Sequence, residues 1–268
     1  MSVTALTGRQ KVDYAAGGYL ALLDVVERGE IERVRSIVED LFARRAGADT
    51  GDFLDLAGTD EDLENARLPQ ILMPVKYAKE LDRSGLRDAA ERVALELLGG
   101  PVQYEGEHVI IKPPAGGAET PMHQDEAYWS EATEYDSLSI WFPLQDVSEE
   151  NGCMRFVPGS HQWGVLPHRS VENDVRKNGL VVIDAPKYRT VPVPLAAGGA
   201  TVHHCRTIHG SGLNRSRNVR LAYIYGFGLR ARKLPEARDF FWQKEKRLLR
   251  EERARMMGTT LTKMRPEL

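Results

Sequence analysis

After Gly99-Gly100-Pro101 the chain offers a succession of short β-like runs, set apart by proline and glycine. The runs are His108 to Ile111, Ser137 to Phe142, Met154 to Val157, Leu180 to Ile183, Arg189 to Val193, Ala200 to His204 and Val219 to Phe227. Several short strands with frequent turns point to a sandwich or a barrel. Two amphipathic helices are expected earlier, over residues 29–46 and from Gly85 to Leu98, where apolar residues recur at helical spacing. Gly47 to Gly58, rich in Gly and Asp, reads as a loop between them. A charged C-terminal helix, Pro235 to Met257, is expected on the outside. One domain results: a helical N-terminal part over about residues 1–100, a β core over about 101–230 and the C-terminal helix over about 235–257.

Within the β region the sequence His123-Gln124-Asp125 follows a loop marked by Pro113, Pro114, Gly116, Gly117 and Pro121. Binding residues concentrate in such loops. A further histidine, His209, stands 86 positions later, and Arg220 eleven beyond that. Two imidazoles and one carboxylate form the 2-His-1-carboxylate set, which holds a divalent ion on one face and leaves the other open. Residues i and i+2 of an extended chain point to the same side, so His123 and Asp125 can act together while Gln124 points away. Alternation also places Arg220, Ala222, Ile224 and Gly226 on one face of their strand and Leu221, Tyr223, Tyr225 and Phe227 on the other. Small neighbours leave room for a ligand beside Arg220, although pairing with a structural carboxylate satisfies the same residue. Structural zinc does not read out, because Cys153 and Cys205 lack a close C-x-x-C spacing. His203 and His204 are adjacent, so at most one faces a pocket. His161 and His168 read as surface or turn residues, and Lys112 as a solvent-facing strand end.

Three segments together resemble the phytanoyl-CoA dioxygenase family of Fe(II)/2-oxoglutarate-dependent oxygenases. They are Lys112-Pro113-Pro114 followed by Pro121-Met122-His123-Gln124-Asp125, the stretch from Asn151 to His161 (N-G-C-M-R-F-V-P-G-S-H), and His209-Gly210-Ser211-Gly212-Leu213-Asn214 with its later arginine. The similarity runs in order over roughly residues 12–230. It implies a mainly β fold with helical additions around a double-stranded β-helix, the jelly-roll or cupin-like core. It also implies Fe(II) held by His123, Asp125 and His209, with 2-oxoglutarate and O2 as cosubstrates. Arg220 would grip the distal carboxylate of 2-oxoglutarate by a bidentate fork. Ser211 and Trp141 would donate hydrogen bonds there, and His108 would line the cosubstrate. Tyr128 and Trp129 are placed to cover the open face of the metal, and Arg206 to receive an anionic group near the mouth. The implied reaction is hydroxylation of an unactivated C–H bond of a small molecule, with release of succinate and CO2. Family halogenases lack the carboxylate that Asp125 supplies. From the residues alone two other readings stay open: a cupin-like isomerase or hydrolase, and a ligand-binding protein, neither using 2-oxoglutarate.

Composition narrows the partners. At 268 residues, 42% hydrophobic and 28% charged, the chain matches a globular protein able to bury a large core. A formal net charge of −3, from 36 basic and 39 acidic residues, gives no electrostatic case for nucleic acid or an anionic membrane. Two cysteines make no disulfide framework, and no apolar run suits a membrane span or a signal peptide. A cytoplasmic location is the expectation.

Overall fold

The computed structural model describes residues 5–115, 117–258 and 260–261. The chain begins with α1 (Gly8–Gly17), β1 (Tyr19–Leu22), α2 (Arg28–Ala43), β2 (Phe53–Asp55), β3 (Pro69–Leu72) and α3 (Gly85–Leu98). Next come β4 (Gln103–Lys112), β5 (Thr120–His123), β6 (Thr133–Glu134), β7 (Ser137–Pro143), β8 (Met154–Phe156), β9 (His168–Ser170) and β10 (Leu180–Val182). The remaining strands are β11 (Val191–Val193), β12 (Ala200–His204), β13 (His209–Ser211), β14 (Arg220–Gly228) and β15 (Arg232–Lys233). Two short helices follow, α4 (Phe241–Glu245) and α5 (Leu249–Met256).

A seven-stranded sheet, ordered β1-β12-β7-β14-β4-β3-β2, faces a four-stranded sheet, β11-β8-β13-β5. All paired strands of both sheets are antiparallel. The space between the sheets is filled by Ile110, Trp141, Ala222 and Ile224 from the larger sheet and Met154, Phe156 and Val193 from the smaller. On the outer face of the larger sheet, Val109, Leu138, Ile140, Phe142, Leu221, Tyr223, Tyr225 and Phe227 pack with the buried stripes of α2 and α3. Those stripes are Ile31, Val34, Val38 and Leu41 on α2, and Leu86, Ala89, Ala90, Val93 and Ala94 on α3. The result is a jelly-roll core backed by helices on one side, with a two-period pattern in the strands and a 3.6-period pattern in the helices.

The first hundred residues are not simply helical. β1 adds to one edge of the larger sheet beside β12, while β3 and β2 extend the other edge beyond β4. The expected loop Gly47 to Gly58 therefore contains a buried strand, and the expected helix over 29–46 stops at Ala43. The C-terminal helix is broken into α4 and α5 by an extended Lys246. The α4 part does not sit outside the fold, since Trp242 is buried and its indole N–H donates to the Ala127 carbonyl at 2.9 Å, whereas α5 is largely exposed and buries Ala254 alone. Gly116 of the Pro/Gly loop lies outside the described residues. Among the described residues no helix is long and apolar enough to cross a membrane.

Candidate active site

β5 and β13 lie side by side in the smaller sheet, with His123 directly opposite His209. Gly210 makes this approach possible, because a Cβ there would stand 2.6 Å from the Thr120 carbonyl oxygen. His123 ends β5, Gln124 is extended at φ −118° and ψ 134°, and Asp125 opens a 3-10 turn. The extended residue between them brings His123 and Asp125 to the same side. One ligand atom each of His123, Asp125 and His209 lie within 4.8 Å of one another. Asp125 Oδ1 stands 3.6 Å from His123 Nε2 and 3.4 Å from His209 Nε2.

Both imidazoles are oriented by the same device. His123 Nδ1 lies 2.8 Å from the Pro121 carbonyl oxygen, and His209 Nδ1 2.8 Å from that of Thr207. A carbonyl can only accept, so each ring carries its proton on Nδ1 and turns a bare Nε2 lone pair inward. Burial, with His209 alongside, lowers the His123 pKa and keeps that ring neutral. Burial would raise the Asp125 carboxyl, but the imidazoles around it, His209 foremost, hold it well below its ordinary value. Three inward donors, two neutral and one anionic, suit a divalent cation.

Gln124 is wholly buried and ties the turn down. Its side chain donates to the carbonyls of Gly164 and Arg206, at 2.7 and 2.6 Å, and accepts from the Leu166 N–H at 2.8 Å. Its own N–H donates to His168 Nε2 at 3.1 Å. The expectation for His168 is thus corrected: it is buried, not superficial, and it supports the turn that carries Asp125. His161 is partly buried and reaches the Ala15 carbonyl at 3.2 Å.

About the far end of the inter-sheet space the polarity reverses. Arg220 is 1% exposed, and its Nε and Nη1 find no hydrogen-bond partner among the described residues. Nη2 reaches Ser211 Oγ at 3.3 Å, and the guanidinium lies 5.6 Å from the Trp141 ring centroid. Burial pushes Arg220 down to about 9. Lys112 corrects a second expectation. It is fully buried, donates to the Ala118 carbonyl at 2.7 Å, and is held well below its ordinary value by burial and then by Arg220. Lys112 and Arg220 face each other across β4 and β14. Unpartnered N–H groups on a buried guanidinium are costly, and an anion relieves them. This end of the space fits a carboxylate.

A cavity of about 750 Å3 opens from the metal end. It is lined by His108, His123, Asp125, Tyr128, Trp129 and Ser139, and farther out by Gln243, Lys246, Leu248 and Arg250 of the C-terminal segment. Burial pushes His108 down to about 4, so it is neutral, and its Nδ1 has no hydrogen-bond partner among the described residues. Tyr128 sets its ring edge-on to His123, with centroids 5.8 Å apart, and its phenol oxygen accepts from the Leu180 N–H at 2.7 Å. Trp129 packs edge-on against Tyr135. Arg206 does not line this cavity. Its Nε lies 3.5 Å from Glu126 Oε2, and Glu126 also takes Arg238 at 2.7 Å, so the expected placement at the mouth is corrected.

By sequence Ser139 has no role at the site, His203 and His204 are left undistinguished as pocket residues, and Lys112 and His168 read as a solvent-facing strand end and a surface or turn residue. Ser139 had a signal, since alternation puts it on the face of Trp141. The C-terminal wall had none, because a charged segment reads as solvated wherever it packs.

The model of the family described as Phytanoyl-CoA dioxygenase (PhyH) matches residues 14–222. A probable alpha-ketoglutarate-dependent hypophosphite dioxygenase of Stutzerimonas stutzeri is 29% identical over 210 residues, covering 73% of this chain and 70% of that protein. The peroxisomal phytanoyl-CoA dioxygenase of Homo sapiens is 27% identical over 228 residues, covering 81% and 67%. Among solved structures, EvdO2 from Micromonospora carbonacea var. aurantiaca complexed with 2-oxoglutarate is similar at a TM-score of 0.77. It is 31% identical, and the match covers 90% of this chain and 99% of that one. A family match over most of the chain, on a jelly-roll core with a buried His/Asp/His cluster, settles the assignment: the chain belongs to the phytanoyl-CoA dioxygenase family of Fe(II)- and 2-oxoglutarate-dependent dioxygenases.

Proposed function

We propose that this member of the family hydroxylates an unactivated C–H bond of a small molecule, using one 2-oxoglutarate and one O2 per turnover and releasing succinate and CO2. His123, Asp125 and His209 would hold the iron through the two Nε2 atoms and the carboxylate. Arg220 would hold the distal carboxylate of 2-oxoglutarate, with Ser211 beside it and Trp141 and His108 along its flanks. When bound, iron with 2-oxoglutarate supplies the oxidising power that no side chain has.

The protein's own contribution is binding, orientation and exclusion of water. The Pro121 and Thr207 carbonyls fix the ring tautomers, so no proton has to leave Nε2 before metal binds. Tyr128 and Trp129 wall the cavity next to the metal end and would shield a bound substrate. Asp125 would give the metal the carboxylate that family halogenases lack, which favours hydroxylation over halogen transfer. The helical additions, the β core and the C-terminal segment act as one catalytic domain, since all three contribute walls. Cys153 and Cys205 are both buried and are not joined in a disulfide, which supports a reducing, cytoplasmic location.

One observation carries the reading: a guanidinium that is 1% exposed, with two nitrogens unpartnered among the described residues, in the same inter-sheet space as a three-donor metal cluster. An isomerase or hydrolase built on the triad alone has no use for it, nor does a pocket that binds neutral ligands. The test is incubation with Fe(II), 2-oxoglutarate and O2 against pooled small metabolites. Succinate should form together with a product one oxygen heavier. Succinate without any oxygenated product, across pools that support turnover, would overturn hydroxylation.

A further inference from the structure

Asp125 has two oxygens in two different environments. Oδ1 faces the Nε2 atoms of His123 and His209. Oδ2 faces the larger sheet instead, accepting from Ser139 Oγ at 2.7 Å and lying 3.3 Å from His203 Nε2. Ser139 and His203 are direct cross-strand partners on β7 and β12. The two sheets are thus tied together through a single carboxylate oxygen.

His203 is built for this contact. It is 2% exposed, with its ring centroid 4.0 Å from that of His209 and 5.5 Å from that of Phe156. Its Nδ1 is buried without a hydrogen-bond partner among the described residues, so the ring proton belongs on Nε2, where Asp125 accepts it. That is the opposite tautomer from His123 and His209, whose protons sit on Nδ1. With a proton on Nε2, His203 is a donor to the carboxylate and not a third imidazole for the metal.

We propose that His203 and Ser139 form a clamp on Asp125, holding Oδ2 in two hydrogen bonds so that Oδ1 alone is offered to the metal. The inference rests on the metal-site reading above. Its consequence is a coordination count. A carboxylate free to rotate can bind through both oxygens and consume a position that the open face needs. A carboxylate pinned at Oδ2 stays monodentate and keeps that face free for two cosubstrates. His203 and Ser139 are positioning residues, because they act through Asp125.

The test uses the full chain and Co(II), whose visible absorption reports coordination number. Four variants suffice: Ser139→Ala, His203→Phe, their combination, and His203→Gln, which keeps an N–H near the position of Nε2. Each single removal should weaken Co(II) binding, and the combination should weaken it about ten- to a hundredfold. The Co(II) spectrum should change in band position and intensity, and His203→Gln should restore it towards the parent. Thermal unfolding of the metal-free variants identifies those that are folded. A folded double variant with the parent's affinity and spectrum overturns the clamp. So does a spectrum showing that His203 itself binds the metal. Parent protein that binds no Co(II) or Fe(II) at all would instead overturn the metal site, a separate result.

Discussion

Along β14, Leu221, Tyr223, Tyr225 and Phe227 pack outward against the helices, while Arg220, Ala222, Ile224 and Gly226 look into the inter-sheet space. The outward face behaves as an ordinary core: its apolar surface is removed from water by α2 and α3, and its stability scales with what is buried. The inward face is less complete. It buries a guanidinium with two nitrogens unpartnered among the described residues and keeps small side chains at Ala222 and Gly226. One strand therefore carries a face completed by packing on the helices and a face that buries a positive charge in the space between the sheets. Substitutions on the inward face should change function without unfolding the protein, and those on the outward face the reverse.

The sharpest way to break this distinction is at the metal end. His209→Ala should leave no stoichiometric iron by metal analysis while the fold persists by circular dichroism, because it removes one of three donors from a rigid cluster. Retention of one iron per chain would refute the triad. The next effect in size is on the inward face of β14. Arg220→Ala should weaken 2-oxoglutarate binding about tenfold or more, the worth of a buried charge-assisted pair, with iron affinity little changed. Arg220→Lys should recover part of the loss, since an ammonium lacks the fork.

The outward face should give the opposite pattern. Leu221→Ala is expected to cost about 2–5 kcal/mol of stability by leaving a cavity, and to leave 2-oxoglutarate affinity in the folded enzyme close to the parent value. Equal losses of stability and affinity at both positions would erase the contrast between the faces. The smallest expected effect is on pH dependence. Arg220 sits at about 9 before its anion arrives, so the charged guanidinium is present below that pH and lost as pH rises through it. Binding of 2-oxoglutarate should therefore hold from neutral pH to about 9 and weaken above it. Flat affinity up to about pH 11 would show that the guanidinium keeps its charge there.

Long, regular features of this chain could be read in advance. The nine residues of β14 show both faces by alternation alone, and α3 is bounded by Ser84 and Gly99, which cap it as their residue types suggest. The H-x-D pair and its partner histidine were visible because two ligands share one extended segment. What stayed hidden depends on register and closure. β1, β2 and β3 have three or four residues each, too few for a period to show, and they become strands only by adding to sheet edges. Lys112 looks solvated beside two prolines, yet Asn214 donates to its carbonyl and Gly152 lies against its side chain, where an added Cβ would come within 3.3 Å of Cδ. The contact of His203 with Asp125 follows from pairing β12 with β7, which no local pattern encodes. Lys246 was part of a charged run, but its ammonium caps the carbonyls of Lys177, Asn178 and Gly179 beneath the cavity wall.

The central claim is that one space between the sheets holds a metal at one end and a dicarboxylate's far end at the other. Anaerobic calorimetric titration of 2-oxoglutarate, with Fe(II) present, into the parent, His209→Ala and Arg220→Ala tests it most directly. The account predicts one 2-oxoglutarate per parent chain, with binding weakened in both variants, in one by loss of the metal and in the other with the metal still bound. Undiminished binding in Arg220→Ala, or binding in the parent that is indifferent to Fe(II), would contradict it.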